Sequence, residues 1–174
     1  RAAEIVQAAR GILYESGFDP GHLLGVRDSV CQKGNVFGAQ KSERVDIYPP
    51  ALREKARAGL LREKAETLLF MGCLPSNMDM KIVPSFFNVM DAAEVDYTTL
   101  STEEMCCGFP LYLMGSGEFE SHAARLAEEL KRTGARELVT PCAGCYKTFK
   151  TLYPDLEAEG IRVFHSVQYM DELI

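Results

Sequence analysis

Cys106 and Cys107 are adjacent, and they form the middle of a spaced set that limits what this chain can fold into. Cys73 precedes them with 32 residues between, and the run Cys142-Ala143-Gly144-Cys145 follows with 34 residues between. Five of the six cysteines therefore read C-x32-C-C-x34-C-x-x-C. If the five act together, the fold must bring the chain back to one place three times.

The apolar patterning supplies such a fold. Thr67-Leu68-Leu69-Phe70-Met71 is a short apolar run stopped by Gly72, which suits a buried strand. Val95-Asp96-Tyr97-Thr98, Glu137-Leu138-Val139-Thr140 and Arg162-Val163-Phe164 read as three more strands. Helical spacing separates them. Val83, Phe86, Phe87 and Met90 form one face of a helix from Asn77 to about Ala93, with Pro84 blurring its start. Phe119, Ala123, Leu126, Ala127 and Leu130 form the face of another, with Ser116 as a cap and Gly134 as its end. The C-x-x-C opens a third helix after Pro141, and a last helix begins near Ser166. Strands alternating with helices predict an α/β domain over 66–174, with a short, mostly parallel sheet flanked by helices. Ligands in such sheets sit beyond the carboxyl ends of the strands. Cys73 and Cys142 each follow a strand, and the Cys106-Cys107 pair follows a longer loop, so all five thiols are expected at one edge.

Residues 1–65 carry no strand signal and read as a helical segment or linker. Ile5, Ala9, Ile12 and Leu13 mark a helix over 1–16 closed by Gly17. Asp19-Pro20 caps a second helix running to about Val30, stopped by Gly34-Asn35. Residues 35–50 look like an irregular connector, and 50–65 like a charged helix. The chain opens at Arg1 and stops at Ile174 inside helical patterns, so we read it as a fragment of a longer protein.

Charge and hydropathy exclude several functions. A net charge of −6 offers no basic excess for phosphate tracking, so a nucleic-acid partner is not expected. No apolar run approaches the roughly 20 residues that span a bilayer, and no signal peptide opens the chain. The expectation is a cytoplasmic protein whose thiols stay reduced unless they hold metal.

Thiolates are soft ligands that select iron–sulfur clusters, zinc or copper(I). A structural zinc takes four ligands, commonly from two C-x-x-C-like pairs. Five cysteines exceed one tetrahedral ion, and adjacent cysteines bind different atoms of a polynuclear cluster more easily than one ion. The short-spaced cysteine run of a cubane ferredoxin is absent. The N-terminal amides of a helix at Cys142 and Cys145 would stabilise their thiolates. The competing readings are buried structural thiols or a disulfide, a zinc site using four of the five, and thioredoxin-like use of Cys142 and Cys145. That last reading leaves three cysteines without a role.

Gly72-Cys73, Cys106-Cys107-Gly108 and Pro141-Cys142-x-x-Cys145 together resemble the cysteine-rich CCG domain over about residues 66–174. That domain occurs in the B and D subunits of heterodisulfide reductase, and in iron–sulfur subunits of glycolate oxidase, anaerobic glycerol-3-phosphate dehydrogenase and lactate-utilisation proteins. Gly34-Asn35-Val36-Phe37-Gly38 resembles the segment that joins an N-terminal ferredoxin-like domain to the first such domain. The resemblance implies one non-cubane [4Fe–4S] cluster held by Cys73, Cys106, Cys107, Cys142 and Cys145, with zinc as the alternative occupant in a structural module that docks partners. It implies electron transfer or disulfide reduction within a larger oxidoreductase of heterodisulfide reductase B or D type. Its expected partners are a ferredoxin-type domain and a second CCG domain, and the family also admits a peripheral membrane complex. In heterodisulfide reductase two such domains face one another and cleave a disulfide by one-electron steps. This chain carries one motif, so it is read as half of a catalytic unit.

Other residues are read more plainly. Cys31 is a small side chain on a helix outside the pattern. His165 follows the fourth strand and either approaches the site or caps a helix. His22 and His122 are surface residues of predicted helices. Tyr146 shields the site or packs, and Lys147 and Lys150 offset its charge or face solvent. Gly108 and Pro110 set the backbone so that the chain passes close to the bound group.

Overall fold

Four short strands, β1 (Thr67–Leu69), β2 (Tyr97–Thr98), β3 (Glu137–Thr140) and β4 (Arg162–His165), pair in the order β2-β1-β3-β4. Every pair is parallel. The structure is a computed structural model and describes every residue except Arg1, Pro20, His22, Leu60, Arg62 and Glu63. The readings of Pro20 as a cap, of His22 as a surface residue and of a helix through 60, 62 and 63 lie outside the described residues.

The segment before the sheet contains α1 (Ala2–Glu15), α2 (Leu23–Lys33), a 3-10 turn at Lys41–Ile47 and α3 (Pro50–Ala58). β1 and β2 are joined through α4 (Cys73–Asn77) and α5 (Ile82–Ala92). β2 and β3 are joined through a 3-10 turn at Ser101–Glu103, α6 (Phe109–Met114) and α7 (Glu118–Arg132). β3 and β4 are joined through α8 (Ala143–Leu152) and α9 (Pro154–Ala158), and α10 (Ser166–Leu173) follows β4. This is the expected α/β architecture with an all-parallel sheet.

Successive side chains of a strand point to opposite faces, and the register builds two cores from that fact. Leu68, Leu138 and Val163 are in register across β1, β3 and β4 and pack with Leu111, Leu126, Leu130 and Phe149. Leu69, Val139 and Phe164 are in register on the opposite face and pack with Val83, Phe86, Phe87 and Met90. Burying each such side chain contributes about 1.5–3 kcal/mol. The segment before β1 shares in both cores, Val30 in the first and Val45, Tyr48 and Ala56 in the second. Among the described residues no helix is long and apolar enough to cross a membrane.

Some element bounds differ from the expectations. The helix read from Asn77 to Ala93 is shorter than expected, because α5 opens only at Ile82 and Asn77 is the last residue of the separate helix α4. Pro84 falls in the first turn of α5, where a missing N–H breaks no intrahelical bond. The charged helix read over 50–65 closes at Ala58 with Gly59 as its C-cap. β2 is only Tyr97–Thr98, and α6 and α9 have no counterpart in the periodicity. Ser116 does help to start α7, its hydroxyl accepting the Glu118 N–H at 3.3 Å.

Candidate metal centre

The strand order changes direction between β1 and β3, since β2 lies beyond β1 and β4 beyond β3. A crevice forms at such a switch point, outside the carboxyl ends of the strands. Cys73 opens α4 just after β1, and Cys142 caps α8 just after β3. The Cys106-Cys107 pair lies in the loop between the turn Ser101–Glu103 and α6.

The five thiols form one unbroken string. The Sγ atoms of Cys73 and Cys106 lie 3.9 Å apart. Cys106 interacts with Cys107, Cys107 with Cys145, and Cys145 with Cys142, each thiol close enough to shift its neighbour's titration. The middle three, Cys106, Cys107 and Cys145, are buried, while the end members Cys73 and Cys142 are half-buried. Among the described residues no group of three or more His, Cys, Asp or Glu side chains is gathered around one metal-ion position. The donors are strung out rather than converged on a point.

Proton sharing alternates along the string. Cys107 is held well below the ordinary thiol range by hydrogen bonds from Cys106 and Cys145, aided by the Phe109 N–H and the Thr148 hydroxyl, against the cost of burial. Cys106 and Cys145, the donors on either side, are pushed well above it by those same bonds and by burial. Cys142 falls to about 6 through its bond from Cys145, with the Cys145 and Gly144 N–H groups at the start of α8 adding to it. Cys73 is lowered by Cys106, opposed by burial, and helped by the Val36 N–H. The expected amide support at α8 is therefore present at Cys142, whereas Cys145 moves the other way.

Backbone geometry sets the approach of the loops. Gly72 has φ of 80°, and a Cβ there would meet Cys145 Sγ at 3.0 Å and Cys142 Cβ at 3.4 Å. A glycine is required where the exit of β1 presses against the C-x-x-C loop. Gly108 also has a positive φ, but its missing Cβ faces Phe119 and His122 at 3.1 and 3.2 Å, away from the thiols. It lets the loop seat on α7. Pro110 sits in the first turn of α6.

His122 is not a surface residue. Its side chain is 3% exposed, and its Nε2 lies 2.7 Å from the Cys106 carbonyl oxygen. Position 122 is three residues after Phe119 and four before Leu126, so it falls on the same apolar face of α7. That spacing could have identified it. Tyr153 supports the neighbouring carbonyl, its hydroxyl donating to Cys107 O at 2.9 Å. His165 takes the structural option: it caps α10, its Nδ1 accepting the Val167 N–H at 3.3 Å. Tyr146 packs against the first core and meets the His165 ring edge-on at 6.0 Å. Cys31 packs half-buried against the same core, and its thiol is pushed up by burial. Lys147 and Lys150 are exposed, and Lys150 pairs with Glu157.

Further contributors come from outside the cysteine pattern, one of them the Gly34-Asn35-Val36-Phe37-Gly38 segment noted in the sequence as a joining segment. The Gly34–Ala39 loop places the Val36 N–H on the Cys73 thiol. Asn35 knots that loop: its Oδ1 accepts from Phe37 and Ala39 N–H at 3.0 and 3.1 Å, and its Nδ2 donates to Lys33 and Ala39 carbonyls at 3.1 and 2.8 Å. Glu104 and Arg44 form a buried ion pair beside the exit of β1.

Comparison with known proteins finds relatives by sequence. The chain is 26% identical, over 98% of its length, to the D subunits of dihydromethanophenazine:CoB–CoM heterodisulfide reductase from Methanosarcina barkeri and from Methanosarcina mazei. It is 24% identical, again over 98% of its length, to a protein named EtfAB:quinone oxidoreductase from Syntrophomonas wolfei. It spans 42% of the length of the two reductase relatives and 24% of the third. No solved structure gives a significant match. Residues 67–150 match the CCG family, described as a cysteine-rich domain, and this span holds all five thiols of the string. Residues 67–150 are thus similar to the CCG cysteine-rich family.

Proposed function

We propose that the chain is an iron–sulfur electron-transfer domain of a heterodisulfide reductase-like oxidoreductase. Cys73, Cys106, Cys107, Cys142 and Cys145 hold one non-cubane [4Fe–4S] cluster in this reading. The observation that carries it is the unbroken string of five thiols, buried in the middle and half-exposed at both ends. A string gives different thiolates to different metal atoms, which suits a polynuclear group better than one tetrahedral ion. The Val36, Phe109 and Gly144 N–H groups on three of the sulfurs are the kind of donor that tunes such a centre. When bound, the cluster supplies one-electron transfer. The protein's own part is to exclude water from Cys106, Cys107 and Cys145 while leaving Cys73 and Cys142 near the surface for a partner.

The relatives named for heterodisulfide reductase and for EtfAB:quinone oxidoreductase support an oxidoreductase role. The partners in this reading are a ferredoxin-type domain and a second CCG domain, in a cytoplasmic complex that docks at a membrane or works free of it. The test is metal analysis of protein reconstituted with iron and sulfide without oxygen. Close to four irons per chain and a paramagnetic iron–sulfur signal are expected. Cys106→Ser or Cys107→Ser should lower the iron content or change the signal. A colourless protein with one zinc and no iron, or unchanged iron in both serine variants, would overturn the reading.

A further inference from the structure

Among the described residues, the hydrogen bonds of the buried Arg44–Glu104 pair go to oxygens and backbone N–H groups. The two side chains are 3% and 0% exposed, and Arg44 Nη1 donates to Glu104 Oε1 at 2.5 Å. The same carboxylate accepts the Met71 N–H at 2.9 Å and the Gly72 N–H at 2.9 Å. Arg44 reaches on to the Gly34 carbonyl at 3.4 Å and the Ser76 hydroxyl at 3.5 Å. One pair therefore touches the connector that carries Val36, the exit of β1, the helix that opens with Cys73, and the segment two residues before Cys106. Arg44 lies outside the matched span 67–150.

Adhesion alone does not account for this arrangement. Burying two charges costs desolvation, and a well-packed apolar pair of the same size often holds a fold as well. What an apolar pair could not do is accept two backbone N–H groups at the bend between β1 and α4. We propose that Arg44 and Glu104 are positioning residues that hold the Cys73 loop against the Cys106 loop, so that the thiol string is completed by a residue from outside the matched domain. The proposal rests on the five-thiol site described above, but not on which metal that site holds.

The test uses the whole chain, reduced and metal-free, treated with a diazenedicarboxamide oxidant. Each disulfide forms as two thiols give two electrons and two protons to the N=N bond, which becomes the hydrazine. Peptide mapping reads the rate of the Cys73–Cys106 bridge against that of Cys142–Cys145 in the same molecule. Both bridges are expected in the unsubstituted chain. Glu104→Gln should slow the first by about tenfold relative to the second, because loss of alignment lowers the effective concentration of the two thiols. The double variant Arg44→Met with Glu104→Gln leaves no unpaired buried charge and should give the same change in ratio with a better-preserved fold. Arg44→Lys, which keeps the charge, should recover part of it. An unchanged ratio in the double variant, or no Cys73–Cys106 bridge in the unsubstituted chain, overturns the proposal. Iron analysis of the same variants is read separately: zinc in place of iron defeats the cluster reading and leaves this one standing.

Discussion

At the level of single residues, the site depends on positions whose side chains are small or hidden. Gly72 has a backbone conformation that other residues enter at a cost of about 1–3 kcal/mol. A methyl group there would also press on Cys145 Sγ. Gly72→Ala should therefore lower the urea midpoint and reduce the iron bound per chain on reconstitution. Gly134 is the control: its φ is also positive, but a Cβ added there would meet nothing within 4 Å, so Gly134→Ala should lower the midpoint without changing iron. The cysteines that form the string were legible in the sequence, because their spacing and the strands before Cys73 and Cys142 already sent them to one edge. Glu104 was not. Beside Glu103 in a polar loop it reads as a solvated acid, and its partner Arg44 is 60 residues away. Nothing local marks a charge whose counterpart arrives from another element. His122 was legible by its spacing alone, since its place on the apolar face of α7 outweighs the usual exposure of histidine.

Among the elements, α1 is held differently from the rest. None of its residues is buried, and Ile5, Ile12 and Leu13 face outward. Its ties to the body are polar. Gln7 donates to the Tyr112 carbonyl, and the Tyr14 hydroxyl donates to Glu118 Oε2 at 2.9 Å. The bond from Ser116, with that from Tyr14, holds the Glu118 carboxyl below the usual carboxylate range, against a small cost of burial. Because its folded value lies below its unfolded one, ionised Glu118 favours the folded state at neutral pH, and the share contributed by the Tyr14 hydroxyl favours the docked helix. That contribution fades as pH falls from the ordinary carboxylate range, about 4.3, through the depressed folded value. Hydrogen exchange of α1 amides should accelerate over that interval, and Glu118→Gln should flatten the dependence. The amphipathic period of α1 was plain in the sequence. Which face would lie against the body was not, because its partner α6 is a short helix with no periodic signal of its own.

Across the whole molecule, the CCG match and the folded unit are not the same object. The match begins at 67, yet Val30, Val45, Tyr48 and Ala56 from earlier in the chain are buried at 0–1% exposure in the two cores. A piece spanning 66–174 would uncover both faces of the sheet and strand Glu104 without its cation. We expect that piece to bind a hydrophobic dye and to melt without a sharp transition, whereas 1–174 melts cooperatively. A sharp melt from the shorter piece would mean that the earlier segment is only appended. The parallel sheet was legible because short strand-like runs alternated with helical ones. The depth of the connector was not, because residues 35–50 have neither period, and their buried members are fixed by partners far along the chain.

The position of the Arg44–Glu104 pair has a consequence for anyone who would transplant this site. Five cysteines set at the carboxyl ends of strands in another parallel sheet would copy the thiol string and omit the pair that braces it. The graft would need an acid two residues ahead of the paired cysteines, in reach of the backbone where the first strand ends. It would also need a cation delivered from an element that comes before that strand. The smallest portable unit of this chemistry is thus larger than its cysteine motif.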